Sequence, residues 1–261
     1  MNILETIIAH KRLEVEKQRI MLPVSKLENR DLFRRKGYSL KDRLEFENGS
    51  GIIAEFKRKS PSRGMINENA DVERIAKDYT EFGAAALSVL TDSNFFGGSE
   101  RDLLKARVNE IPILRKDFII NEYQVVETKA MGADLMLLIA ASLSTAQVKN
   151  LARLAKNIGL EVLLELHDET ELDHICEEVD LVGINNRNLK SFDVDLERSV
   201  RMSLQVGKEK TLIAESGISR PETITQLKPH GFKGFLIGEN FMKANDPGNA
   251  FREFVNSIPK K

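Results

Sequence analysis

Eight short aliphatic runs recur along this chain, most of them followed by a longer amphipathic segment, and that alternation limits the fold more than any other feature. The runs read GIIAEFK, AALSVLT, IPILRKD, ADLMLLIAA, EVLLELH, LVGINN, TLIAESG and GFLIGEN, all from residue 51 onward. Strand-like runs that alternate with helical patterns build βα units around a parallel sheet. Between them, DVERIAKDYTEFG, EYQVVETKAMG, STAQVKNLARLAKNIG and RPETITQLKPHG space apolar residues at helical intervals. Each places glycine at its end, where a helix stops most easily. A last segment, DPGNAFREFVNSI, completes eight helices for eight strands. In a 261-residue chain this predicts an α/β protein, a closed (β/α)8 TIM barrel, with an open doubly wound sheet as the alternative that counting leaves open. No GxGxxG follows the first run, which argues against a dinucleotide-binding sheet.

Residues 1–47 precede the strands and hold two helical patterns, NILETIIAHKRLEVEKQR and SLKDRLEFE, separated by LPVSKLENRDLFRRKGY. A segment this short cannot bury a core of its own, so it reads as a helical extension packed on a single barrel domain, residues 48–261. Lysine and arginine number 39 against 40 acidic residues, a net charge of -1. No global field therefore attracts nucleic acid or an anionic membrane, and an anionic ligand must be held by a local cluster. The N-terminus lacks the apolar core and cleavage site of a signal peptide, and no run approaches the roughly 18–20 residues that span a bilayer, so a cytoplasmic protein is expected. Cys176 is the single cysteine, which excludes an intrachain disulfide and a cysteine-built metal site. It lies in ELDHICEEV, a helical pattern in which a buried structural thiol is expected.

In such a barrel, catalytic side chains come from the C-terminal ends of the strands. The first run ends in Glu55 and Lys57, two apart and on one face, with Phe56 directed to the other. The third ends in Arg115, Lys116 and Asp117, followed by Phe118; the fifth ends in Glu165, the sixth in Asn185 and Arg187, the seventh in Glu215 and Ser216. Charges at the rim of an apolar cylinder cost free energy unless they meet partners or a ligand. A stabilising ion-pair ring explains any one of them; their recurrence at strand ends remote in sequence points to a site. AESGIS and LIGENF place Ser216, Gly217 and Gly238 after the last two strands, where exposed backbone N–H groups cradle phosphate. Tight turns are the plain alternative for these glycines, and Ser60 is a further hydroxyl after the first strand.

Taken in order, IIAEFKRKSPSRG, ALSVLTDSNFFGGS, PILRKDFIINEYQV, LLELHD, GINNRNLKSFDVDL, IAESGI and GFLIGENFM resemble the successive motifs of indole-3-glycerol-phosphate synthase. The resemblance runs from about residue 51 to 248, and the N-terminal extension is similar to that family's as well. It implies the monofunctional form, a carboxy-lyase of tryptophan biosynthesis. Such an enzyme converts 1-(2-carboxyphenylamino)-1-deoxyribulose 5-phosphate to indole-3-glycerol phosphate with loss of carbon dioxide and water. Charge develops on the ketone oxygen during ring closure, so a positioned acid must protonate it.

By resemblance Lys116 is that acid, and among cations beside an apolar ring pocket its pKa is expected to fall toward the working range. Lys57 engages the substrate carboxylate and is a second proton donor, and Glu165 is the general base of the dehydration. Glu55 holds a lysine or a substrate hydroxyl, Asn185 and Arg187 orient the reacting sugar, and Glu215 joins that polar network. The phosphate falls to Lys59, Ser60, Ser216, Gly217, Gly238 and the N–H of Glu239. Some members have serine at position 239, so the Glu239 carboxylate is expected to point away. Phe118 and Leu90 line the anthranilate pocket.

The resemblance implies no metal and no cofactor. The expected partner is a small phosphorylated substrate, with no nucleic acid or membrane, for a monomer whose contacts with other pathway enzymes are left open. A rival on the same fold, phosphoribosylanthranilate isomerase, would shuttle protons with a cysteine and an aspartate; the setting of Cys176 and the EFK end of the first strand count against it. A catalytically dead scaffold barrel predicts eroded strand ends, and here the polar positions are filled.

Overall fold

Hydrogen bonding closes eight parallel strands into one barrel in the computed structural model, which describes residues 2–46, 49–187 and 193–259. The strands are β1 (Ile52–Phe56), β2 (Ala86–Leu90), β3 (Ile113–Lys116), β4 (Leu135–Ile139), β5 (Glu161–Leu166), β6 (Leu181–Asn185), β7 (Thr211–Glu215) and β8 (Phe232–Ile237). β8 pairs with β1, which removes the open sheet as an alternative. Each of the eight apolar runs supplies one strand. The boundary expected at residues 47 and 48, and the middle of the sixth-strand motif at residues 188–192, lie outside the described residues.

Side chains alternate across a strand, so each strand feeds two cores. The inner one gathers Ile53, Leu114, Leu163 and Ile213, one from each odd-numbered strand, with Leu137, Leu181 and Leu236 from even-numbered strands. The outer one packs Phe56, Val89, Leu138 and Val182 against the surrounding helices. It includes an aromatic knot in which the Phe241 ring meets Phe251 at 5.3 Å and Phe254 at 5.4 Å.

The N-terminal segment folds as expected into a long helix, Ile3–Met21, opened by a reciprocal Asn2–Glu5 cap, and a short one, Leu40–Phe46. A brief helix, Val24–Glu28, and a 3-10 turn, Asp31–Arg34, link the two. Leu40 belongs to the inner cluster, with Leu44 packed on it, so this short helix plugs the N-terminal end of the barrel.

One expected helix differs. Between β5 and β6 the chain forms a 3-10 helix, Glu169–His174, started by the Asp168 side chain on the Thr170 N–H. A 3-10 helix rises about 2.0 Å per residue against about 1.5 Å for the α form, so few residues carry the chain back along the strand. Cys176 lies beyond this turn, outside any helix and only half-buried, which corrects the expectation of a buried helical thiol. Burial nevertheless pushes the thiol pKa up. Among the described residues, no helix is long and apolar enough to cross a membrane.

Candidate active site

One step above the layer of Ile53, Leu114, Leu163 and Ile213, the same faces of the same four strands carry Glu55, Lys116, Glu165 and Glu215. Barrel interiors are filled by such layers, each built from alternate strands and usually aliphatic. Here the uppermost layer is ionisable. Lys116 Nζ lies 2.9 Å from Glu165 Oε2 and 2.7 Å from Glu215 Oε2. Lys57 donates to Glu55 Oε1 at 2.6 Å, and Asn185 Nδ2 donates to Glu165 Oε1 at 2.9 Å. Asn185 Oδ1 in turn accepts the Arg187 backbone N–H at 3.0 Å.

The layer's electrostatics follow from burial against pairing. Burial alone would lower Lys116, but Glu165, Glu215 and Glu55 outweigh it and hold the ammonium above the ordinary lysine range. This corrects the expected depression: its neighbours are carboxylates, not cations. Burial pushes Glu215 up to about 7, with the Glu165 charge adding to the rise and Lys116 opposing it. Burial acts on Glu165 too, yet Lys116 and His167 overcome it and keep that carboxyl well below the usual range. Two carboxyl groups flanking one ammonium are thus driven apart, the pattern that separates an acid from a base.

Arg115 and Asp117 do not join the layer. Alternation turns them outward, where Arg115 meets Glu127 at 2.7 Å and Asp117 at 3.1 Å. Asp117 also forms an ion pair with Lys11 Nζ at 3.0 Å, and that lysine reaches Asp92 at 2.9 Å and Glu14 at 3.0 Å. Lys11 is only 1% exposed, so this cluster pins the N-terminal helix to the back of β3. Sequence reasoning missed Lys11, although it sits on the buried stripe of Ile7 and Val15. His167 was missed too; its Nε2 lies 3.0 Å from Glu165 Oε1. The same-face rule that paired Glu55 with Lys57 pairs Glu165 with His167.

The expected phosphate residues come from three adjacent strands. After β7, Ser216 and Gly217 both adopt positive φ, 65° and 70°. A Cβ on Gly217 would fall 2.6 Å from the Val194 side chain, so only glycine fits there without displacement. Gly238 leads from β8 into the short helix Glu239–Met242. Among the described residues, the N–H groups of Gly217, Gly238 and Glu239 meet no acceptor. After β1, Lys59 and Ser60 lie in a two-stranded hairpin with Gly64 and Met65. Ser60 is buried, while Lys59 Nζ donates to the Asn94 carbonyl at 3.1 Å. The Glu239 carboxylate is engaged by Arg63 at 3.0 Å and lies 3.9 Å from Arg187. Phe118 is half-buried with its ring 5.9 Å from that of Phe96. Leu90 is buried in register with Lys116.

A family model described as indole-3-glycerol phosphate synthase matches residues 4–254. The chain belongs to the indole-3-glycerol phosphate synthase family. It is 47% identical to the indole-3-glycerol phosphate synthase of Bacteroides thetaiotaomicron over 98% of this chain and 99% of that protein. With the Bordetella pertussis synthase it shares 42% over 95% of this chain and 96% of that one. Among solved structures, 3-hexulose-6-phosphate synthase from Salmonella typhimurium superposes with a TM-score of 0.63 at 13% identity, covering 79% of this chain and 97% of that one. A mutant tryptophan synthase alpha-subunit from Pyrococcus furiosus gives 0.60 at 12%, covering 80% and 98%. These two share the fold alone. Indole-3-glycerol phosphate synthase is an enzyme of tryptophan biosynthesis, so the chain is a ring-closing, decarboxylating lyase.

Proposed function

We propose that the reaction runs on the odd-strand layer, with Lys116 as the acid of ring closure and Glu165 as the base of dehydration. The observation that carries this reading is the Lys116 ammonium, held 2.9 Å from Glu165 and 2.7 Å from Glu215 at the open end of the barrel. The substrate is 1-(2-carboxyphenylamino)-1-deoxyribulose 5-phosphate. Its phosphate binds the free N–H groups of Gly217, Gly238 and Glu239, with Ser216, Lys59 and Ser60 completing the cradle. Its ring lies against Phe118 and Leu90, and its carboxylate meets Lys57.

The ring carbon that bears the carboxylate attacks the ketone, and Lys116 protonates the ketone oxygen as the bond forms. Carbon dioxide then leaves, and its bonding electrons restore the aromatic ring. In dehydration the hydroxyl departs with a proton from Lys57, while Glu165 removes a proton from the carbon that becomes doubly bonded. Lys116 is protonated at rest because three carboxylates surround it. Glu55 holds Lys57, Glu215 holds Lys116, and Asn185 and Arg187 fix the sugar. Such positioning is worth up to ~7–11 kcal/mol of a barrier in favourable systems. The enzyme is read as a cytoplasmic monomer acting on a free phosphorylated small molecule; a single cysteine fits the reducing cytoplasm, and near-neutral charge fits a partner that is neither nucleic acid nor membrane.

The chain contains no tryptophan and 3 tyrosines, so an indole product fluoresces over a nearly dark background. Purified protein is mixed with the substrate and indole emission is followed. A rise that needs the enzyme and vanishes in Lys116→Ala supports the assignment. A flat trace from folded wild type rejects it and turns attention to isomerase substrates.

A further inference from the structure

The proposed reaction consumes a proton. One proton goes to the ketone oxygen and one to the departing hydroxyl, while Glu165 takes back only one. Loss of carbon dioxide from a carboxylate leaves the balance short, so one proton per turnover must come from solvent. Yet the layer is secluded: Glu165 is 5% exposed and Glu215 1%.

A line of groups leads inward to it. His167 follows Glu165 on the same face of the chain and is itself 7% exposed. Its Nε2 lies 3.0 Å from Glu165 Oε1, whereas Lys116 occupies the other oxygen, Oε2, at 2.9 Å. On the far side, His167 Nδ1 is 3.7 Å from Glu171 Oε2, an oxygen that also accepts the His167 backbone N–H at 2.6 Å. Glu171 belongs to the 3-10 helix Glu169–His174, and its side chain is 13% exposed. From outside to inside the order is Glu171, His167, Glu165, Lys116.

We propose that His167 is a positioning residue that supplies the missing proton, acting through Glu165 on Lys116. This rests on the roles given above to those two residues. After ring closure Lys116 is a neutral amine. His167 gives its Nε2 proton to the Glu165 carboxylate at Oε1, and the carboxylic acid so formed delivers a proton to Lys116 and returns to the carboxylate. The neutral imidazole, left with its proton on Nδ1 beside Glu171, regains a proton at Nε2 from water. Only N–H and O–H bonds break and form, and no oxidant or reductant is needed.

The groups facing the imidazole fit the task. They are Glu165 on β5, Asp168 and Glu171 in the turn that follows, and Asn185 on β6, whose Nδ2 is 3.4 Å from Nε2. Burial opposes the imidazolium, but Glu165 and Glu171 raise it to about 9, so the ring is charged at rest. A histidine serving packing alone has no need of a carboxylate at each nitrogen.

The test measures single-turnover rates of the intact enzyme, so that product release does not mask the step. His167→Gln keeps an N–H toward Glu165 but cannot carry a proton; His167→Ala leaves space for imidazole. Both variants are expected to lose on the order of 10²-fold in rate, the scale of general acid–base catalysis, with KM within about threefold. Added imidazole should restore His167→Ala by tenfold or more in proportion to its concentration. A His167→Gln rate within about twofold of wild type overturns the proposal. A loss in folded His167→Ala that imidazole leaves untouched, with the solvent isotope effect unchanged, overturns it equally. A wild type that never turns over this substrate is a different failure, that of the synthase reading itself.

Discussion

The Lys116 ammonium and the Glu215 carboxylate meet at 2.7 Å, yet the glutamate is raised to about 7 rather than lowered, because burial and the Glu165 charge prevail over the ion pair. A carboxyl raised in the folded state keeps a proton that the unfolded chain has released. Its stabilisation is full below the ordinary glutamate value and is lost as pH climbs through about 7. Wild type should therefore lose stability between about pH 5 and pH 8 relative to Glu215→Gln, which lacks this titration. Urea unfolding curves across that range check it. Parallel pH profiles for the two proteins would show that Glu215 titrates normally.

Lys116→Ala is expected to cut kcat by about 10³-fold or more with a modest change in KM, since the acid acts in the transition state while phosphate and ring contacts remain. The same change leaves Glu165 and Glu215 with no cation between them, Glu165 keeping only His167. Breaking a buried ion pair from one side typically costs about 3–5 kcal/mol, less whatever protonation of a carboxylate recovers. Thermal melts should fall, and fall further at higher pH, where that rescue fails. A stable variant with near-normal kcat would remove Lys116 from both roles.

What could be read without coordinates follows from what strands repeat. Period-two alternation carried Ile53 to Glu55 and Leu163 to Glu165, so the ionised layer was visible as polar residues two places beyond apolar ones. The same rule reached His167, which was passed over because Glu165 alone satisfied the expected motif. The titration of Lys116 was misjudged for a different reason. Its chain neighbours Arg115 and Asp117 turn outward, and the groups that set its proton affinity arrive from β5 and β7, 49 and 99 residues away in sequence. Lys11 announced itself as a charge on an apolar helical stripe, but its partners Asp92 and Asp117 are fixed only by tertiary packing. ELDHICEEV reads as a helical pattern in sequence, while the Asp168 cap and a short return path favour 3-10 geometry after β5.

Gly217→Asp should weaken substrate binding more than it slows chemistry, since a carboxylate beside the cradle repels phosphate and crowds its N–H groups. The structure adds a second cost, because a Cβ there meets Val194 at 2.6 Å with φ at 70°. Backbone strain of this kind costs on the order of 1–3 kcal/mol. Expected are a KM raised about tenfold or more, weaker competitive inhibition by inorganic phosphate, and a lower melting temperature. Loss of kcat at unchanged KM would assign Gly217 to the reacting centre instead of the phosphate.

Lys11→Met tests whether the N-terminal helix is held by charge or merely by apolar contact. Lys11 is held above the ordinary lysine range: burial opposes the charge, but Asp117, Asp92 and Glu14 prevail. Asp117, whose burial is outweighed by Arg115 and Lys11, is lowered to about 2. Methionine preserves the buried stem but leaves Asp92 and Asp117 facing each other with less cation between them, a change expected to cost about 3–5 kcal/mol near neutral pH. The deficit should shrink in acid, because the orphaned carboxylates then take up protons in the folded state. Hydrogen exchange should show the helix Ile3–Met21 opening ahead of the barrel. If stability and exchange match wild type at neutral pH, packing by Ile7 and Val15 is sufficient and the buried ion cluster adds nothing to docking.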